Sequence, residues 1–148
     1  MIALLQRVRH ASLTVDGQIL AAIQAGILVF AAIEKSDTQQ SCQRMAQRIL
    51  SWRLFSSPGS QKMERSVVDT DGEVLLVPQF TLAANTCKGT RASFSSACPP
   101  AQAESLFADF VTDCQAMHKK TLSGRFAADM QVQLLNDGPV TFILRTSS

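Results

Sequence analysis

Residues 26–33, Gly-Ile-Leu-Val-Phe-Ala-Ala-Ile, form an unbroken apolar run closed by Glu34-Lys35. A run this short, with no polar alternation, suits a strand buried on both faces. The longest uncharged apolar run, Ala25 to Ile33, is nine residues long. A membrane-spanning helix needs about 20. The run therefore points to the centre of a globular core.

The segments around it supply the rest of such a core. Ile2 to Val8 is apolar-rich, and Leu13 to Val15 leads into Asp16-Gly17, a strong hairpin dipeptide, with Gln18 to Ile23 as the return strand. A helix follows, capped by Ser36 or Asp37 with Gln39 or Gln40 three residues on. Cys42, Met45, Ala46, Ile49 and Leu50 then recur at the spacing of one buried helical face. Ser56 to Gln61 reads as a loop, Asp71-Gly72 as a turn, and Glu73 to Val77 as a short buried strand ending at Pro78. Thr86 to Pro100 reads as an ordered surface loop with Lys88 and Arg91 in it, and Pro99-Pro100 suits a first helical turn. Ala103, Leu106, Phe107, Phe110, Cys114 and Met117 form a second apolar stripe that Gly124 breaks. Met130 to Leu135 and Val140 to Leu144 are strands joined by Asn136-Asp137-Gly138-Pro139. With no repeat or linker in the chain, residues 1–148 read as one domain. The order implies a mixed α/β fold with two helices against a mostly β core, whose first and last strands are placed to pair.

Several chemistries lack their parts. Cys42, Cys87, Cys98 and Cys114 form no C-x-x-C pair and no zinc-ligand spacing with a histidine. The two histidines, His10 and His118, read as structural or merely exposed, which leaves a Ser-His-Asp or Cys-His arrangement without its base. No Walker lysine motif or glycine-rich dinucleotide fingerprint is present. A net charge of +2 permits RNA binding without indicating it. The N-terminus reaches Arg7 and Arg9 too soon for a signal peptide, which makes the cytoplasm the expected location, with no metal and no cofactor.

Two segments stand apart. In Val77-Pro78-Gln79-Phe80-Thr81-Leu82 a Gln-x-Thr pair interrupts an apolar strand just after a proline; the pattern alone fits a strand end with one polar face equally well. Asn136-Asp137-Gly138-Pro139-Val140-Thr141 has the chemistry of an ordinary tight turn, though its Gly-Pro bond is of the kind that adopts cis.

At these residues the sequence resembles the D-aminoacyl-tRNA deacylases, formerly D-tyrosyl-tRNA deacylases. The likeness begins at IALLQRVRHASLTVDGQ, continues through QFTLAANTCKGTRASFS and ends with GRFAADMQVQLLNDGPVTF. It implies a three-layer α/β/β fold, with mixed sheets forming a barrel-like core and the two main helices on one side. It implies a homodimer with active sites at the interface, acting on the 3′ end of aminoacyl-tRNA. Gln79, Phe80 and Thr81 map to the catalytic pocket wall. Gly138 and Pro139 map to a chiral gate that enters the partner's pocket, and Met63 and Ala128 to substrate contacts. Three positions depart from the family pattern: Pro78 replaces a serine, Glu64 an asparagine and Ala92 a proline. Pro78 removes a hydroxyl and a backbone donor but leaves the N–H groups of Phe80 and Thr81 in place.

The implied reaction suits a chain without a catalytic histidine. An aminoacyl ester is already activated, and its ribose 2′-OH lies beside the carbonyl. Holding ester and water in near-attack geometry, with main-chain N–H groups on the oxyanion, supplies what remains. Thr81 then positions rather than attacks, because nothing near it in sequence resembles its base. A main-chain gate would exclude L side chains while accepting many D-amino acids, and glycine as well. The alternatives are a related tRNA deacylase with a trans Gly-Pro bond, acting on misacylated L-alanine or glycine, and a non-catalytic RNA-binding dimer.

Overall fold

The computed structural model describes residues 1–146. Its elements run β1 (Ile2–Val15), β2 (Gln18–Ile23), β3 (Gly26–Ala32), α1 (Gln39–Ser51), β4 (Phe55–Ser56), β5 (Met63–Arg65), β6 (Glu73–Pro78), a one-turn 3-10 helix (Phe80–Ala83), α2 (Pro100–Met117), β7 (Thr121–Ser123) and β8 (Gln131–Arg145).

β1 is the spine. Its first half pairs antiparallel with β3, from Ile2 opposite Ala32 to Val8 opposite Gly26, and its second half with β2, from Ala11 opposite Ile23 to Val15 opposite Gln18. β8 follows the other edge of β1 through both halves, from Ile2 opposite Arg145 to Thr14 opposite Gln131. β6 joins β3 in parallel, and β7 joins β6 in parallel. The register of β1 against β8 breaks between Gln6 and His10, and irregularities of this kind bend a strand.

Side-chain alternation on β3 shows what the bend achieves. Ile27, Val29 and Ala31 belong to one core with Met45, Ile49, Phe107 and Phe110 of the helices. Leu28 belongs to a second core, with Phe30 packed against it, alongside Val8, Ala11 and Leu13 of β1 and Ala21 and Ile23 of β2. β3 is thus buried on both faces, as its unbroken apolar run requires. The layers are helices, central sheet and folded-over sheet, which is the three-layer arrangement anticipated. α1 and α2 lie side by side on one face.

Several local readings change. Thr38, not Ser36 or Asp37, caps α1: its Oγ1 accepts from Ser41 N–H at 3.3 Å, and Ser41 Oγ accepts from Thr38 N–H at 2.9 Å. Asp37 is turned inward to the Met1 ammonium, 2.5 Å away, and to Glu34 N–H at 2.7 Å. Ile2–Val8 and Leu13–Val15 are one strand, because β8 pairs with β1 on both sides of the irregularity at Gln6–His10. β4 and β5 form a small hairpin around the loop at 56–61. The strand read over Glu73 to Val77 does end at Pro78, and Phe80–Ala83 then coils into the 3-10 turn. Met117 falls off the buried stripe of α2, at 43% exposed. His118 is buried, and its Nε2–H donates to Gly72 O at 2.7 Å, which ties the end of α2 to the loop before β6.

Candidate active site

The parallel strands β3 and β6 end together, with Ala31 opposite Pro78. Gln79 N–H extends this ladder by one bond, to Ala31 O at 2.8 Å, and the chain then turns into the 3-10 helix. Inside that helix Leu82 N–H donates to Gln79 O and Ala84 N–H to Thr81 O. The first amides of a helix, here those of Phe80 and Thr81, have no intrahelical acceptor. They stand at the carboxyl ends of two parallel strands, where α/β sheets commonly bind ligands.

A cavity of about 520 Å³ opens at this place. Its walls are the ends of β3 and β6, Gln79 and Phe80, Ala97-Cys98, the first turns of α2, and the segment Phe126–Met130. Among the described residues, Asp129 and Cys98 are the only ionisable groups in its lining, and no histidine is there. Burial pushes the Cys98 thiol above its ordinary pKa, and burial raises Cys42 to about 11 and Cys114 to about 12. The three buried thiols stay protonated near neutral pH and are poor nucleophiles.

Thr81 is exposed beside the cavity rather than in its lining. Gln79 Nε2 donates to Thr81 Oγ1. An N–H donor on this oxygen reduces its nucleophilicity, where activation would need a base.

The structure brings Gln79, Phe80 and Ala128 to one cavity, with Thr81 at its edge. It does not bring Gly138, Pro139 or Met63 there within one protomer. Gly138-Pro139 sits in β8 at the level of Arg7, on the far side of β1 and β3 from β6. Three strand spacings make the separation about 14 Å across the sheet, and four residues of β3 add about 13 Å along it. Met63 instead borders a second hollow with Trp52, Arg53 and Phe142.

The two strands anticipated at 130–144 are one, and their expected turn is a bulge within it. Four residues, 137–140, stand on β8 between Asn136 opposite Val8 and Thr141 opposite Gln6, where β1 has only Arg7. Gly138-Pro139 is cis and exposed. Side chains lock the bulge. Asn136 Oδ1 accepts from Val140 N–H at 2.8 Å, and Asn136 Nδ2 donates to Thr141 Oγ1 at 3.0 Å. Arg7 donates through Nε to Asp137 O at 2.9 Å and through Nη1 to Leu54 O at 2.7 Å. Arg9 adds an ion pair to Asp137 at 3.2 Å.

Sequence reasoning missed Arg7, Phe126 and Met130. Arg7 reads as ordinary strand charge, since its partner is 130 residues away. Phe126 and Met130 stand in the GRFAADM segment, from which only Ala128 was drawn.

Fold and cavity together define a small mixed α/β protein with a mainly apolar cavity at the carboxyl ends of two parallel strands. Residues 4–145 match the sequence model of the family described as D-Tyr-tRNA(Tyr) deacylase, and the chain belongs to that family. Proteins named D-aminoacyl-tRNA deacylase are similar throughout. The one from Pseudomonas fluorescens (strain SBW25) is 51% identical over 99% of this chain and 100% of its own. The one from Escherichia coli O1:K1 / APEC is 50% identical over 98% and 99%. A solved structure named c-Myc DNA Unwinding Element Binding Protein superposes with a TM-score of 0.95 over the whole of both chains, at 37% identity. A second, from the structural analysis of a probable eukaryotic D-amino acid tRNA deacylase, has a TM-score of 0.84 over 97% of both chains at 16% identity, a likeness of fold alone.

Proposed function

We propose that this chain is a D-aminoacyl-tRNA deacylase, a hydrolase that cleaves the ester between a D-amino acid, or glycine, and the 3′ end of tRNA. The observation that carries the proposal is the cavity at the ends of β3 and β6. Its polar equipment is the start of a 3-10 helix and not an acid–base pair, in a chain that belongs to this family. A preactivated ester needs no more than that. The amides of Phe80 and Thr81 stabilise the oxyanion, the apolar walls around Ala128 hold the aminoacyl group, and water attacks with the ribose 2′-OH beside it. Gln79 fixes the Thr81 hydroxyl, which orients substrate. No resident cofactor enters this scheme, and the site of action is the cytoplasm, where tRNA is charged.

The working form is a homodimer. An exposed, locked main-chain bulge far from its own cavity is suited to entering another. Gly138 and Pro139 of the partner subunit then face the Cα substituents of the substrate, and their backbone crowds an L side chain. Met63 is assigned to the same shared site, because Arg7 ties the Gly138 bulge to Leu54 O and Leu54 N–H in turn bonds Arg65 of the β4–β5 hairpin that carries Met63.

The direct test is deacylation of D-Tyr-tRNA beside L-Tyr-tRNA and Gly-tRNA. Hydrolysis of the D and glycyl esters with the L ester spared is the expected outcome. A protein that binds the tRNA and hydrolyses none of them is a binding module instead.

Two results should accompany it. Thr81→Ala retains activity, with a loss of no more than about 10²-fold, the scale of one lost hydrogen-bond contact in a reacting site. Mass spectrometry should find no acyl group on Thr81, and a trapped ester there would overturn the positioning role. Mixing Gly138→Ala protein with Thr81→Ala protein should give activity above the mean of the two, because one composite site per heterodimer keeps both native parts. Once subunits have exchanged, and with each variant alone below wild type, a mixture that never exceeds that mean removes the shared site.

A further inference from the structure

The α-ammonium of Met1 is buried, in a residue only 1% exposed. It lies 2.5 Å from Asp37 Oδ1, 3.1 Å from Glu34 Oε2 and 3.4 Å from Thr146 O. An ammonium has three N–H donors, and here each has an acceptor. Asp37 is itself 4% exposed, and among the described residues the Met1 ammonium is its only cation within ion-pair distance. Its other partners are neutral: Oδ1 accepts from Ser41 Oγ at 2.9 Å and Oδ2 from Glu34 N–H at 2.7 Å. The segment that holds the ammonium also holds a wall of the cavity. Asp37 N–H returns to Glu34 O at 3.0 Å, Lys35 N–H donates to Ser96 O at 3.0 Å, and Cys98 N–H donates to Ile33 O at 3.1 Å. Glu34 pairs with Ala97 as a β-bridge, and Ala97 and Cys98 line the cavity.

We infer that a free, charged α-amine on Met1 is a requirement of this fold, and that a chain started with N-formylmethionine reaches its working form only after a deformylating hydrolase has acted on it. In that step water adds to the formyl carbon, the C–N bond breaks, formate leaves and the amine takes up a proton. A formylated nitrogen is an amide, with one N–H and no charge, and so is that of a Met1 joined to a preceding residue. Either one leaves the Asp37 carboxylate buried without its cation, and leaves acceptors without donors. Once β1 is docked the nitrogen is out of an enzyme's reach. The hydrolysis therefore comes before Ile2 pairs with Ala32 and Arg145. The inference stands apart from the deacylase reading, since it concerns a charge at the start of β1 and not the reaction in the cavity.

The experiment compares the full-length protein with a free amine, with the formyl group kept by inhibiting the host's deformylase, and with a glycine ahead of Met1, released from a cleavable fusion. Intact mass verifies each form. The blocked forms should melt roughly 10 °C below the free one, the order expected when one partner of a buried ion pair is removed. Cys98, buried in the free form beside the exposed Cys87, should become open to a thiol reagent in the blocked forms, read at that residue by mass spectrometry. The same comparison in Asp37→Asn separates charge from bulk. With no carboxylate left unpaired, blocking the amine should lower the midpoint of this variant far less. Should Asp37→Asn not fold with a free amine, Glu34→Gln takes its place. A midpoint unchanged by blocking overturns the inference, and so does a shift equally large in Asp37→Asn, because bulk alone would then be the cause. If the blocked wild-type chains do not fold, the inference stands when the blocked Asp37→Asn chains fold and falls when they do not. Cys98 protected equally in every folded form overturns the link from the ammonium to the cavity wall.

Discussion

Gly138→Ala lowers deacylation of D-aminoacyl-tRNA by about 10²-fold, the cost of misplacing a substrate-positioning element by about 1 Å. The sequence alone suggests a simple mechanism, an added methyl group obstructing the pocket while the protein stays intact, provided the position needs no positive φ. The structure removes that proviso. Gly138 has φ +140, a conformation that side chains rarely adopt. A Cβ there would lie 2.7 Å from Val140 Cγ2 and 3.1 Å from Arg7 Nη2. Relief requires the bulge to shift or Arg7 to release the carbonyls of Asp137 and Leu54. The substitution therefore deforms the gate before substrate arrives. Backbone strain of this kind costs about 1–3 kcal/mol, which a folded domain survives. Single-turnover hydrolysis of D-Tyr-tRNA, set beside the thermal midpoint, separates the two effects. Near-native D activity in a well-folded Gly138→Ala protein would show that the bulge does not meet the substrate.

Gly26→Ala acts on the fold instead. Gly26 opens β3, opposite Val8 of β1 and Glu73 of β6. A Cβ built on it would sit 1.8 Å from Glu73 O and 2.6 Å from Glu73 N. Those are backbone atoms of the parallel partner and cannot rotate away. The first pairing of β3 with β6 must separate, and this pair carries Val29, Ala31, Val74 and Leu76 of the helix-side core. The expected destabilisation is about 3 kcal/mol, the upper end for overpacking in a core. For a chain of this size that lowers the thermal midpoint by roughly 6–12 °C. Calorimetry checks it, and a midpoint within a degree of wild type would mean that the two strands are not this close. Because β6 leads directly to Gln79, deacylation should fall with stability in this variant, with KM and kcat both affected.

Much of this was legible in one dimension, because local physics sets it. The apolar run at 26–33 marked the central strand, since a segment without a polar face has nowhere to go but between two layers. The spacing of Cys42, Met45, Ala46 and Ile49, and of Ala103, Phe107, Phe110 and Cys114, marked the two helices by their single buried stripes. Asp16-Gly17 marked the hairpin. The segments QFTL and NDGPVT stood out because each breaks the pattern around it, and both became parts of the proposed site.

What the chain could not show in one dimension was which of these pieces meet. The cavity draws on four separated stretches, at 31–33, 77–80, 97–107 and 126–132, joined only through the pairing of β3 with β6 and the packing of α2. The 3-10 turn after Pro78 had no signal of its own in the sequence; the parallel ladder ends there and the chain leaves the sheet. The bulge at 137–140 exists because β8 lies against β1, and Arg7 finds its acceptor across 130 residues of sequence. Turn propensity is a property of neighbouring residues, so it named Asn136-Asp137-Gly138-Pro139 as a bend. Distance, burial and the direction in which a bend points arise from contacts between strands remote in sequence. Only the tertiary structure could place Gly138-Pro139 on the opposite side of the sheet from Thr81.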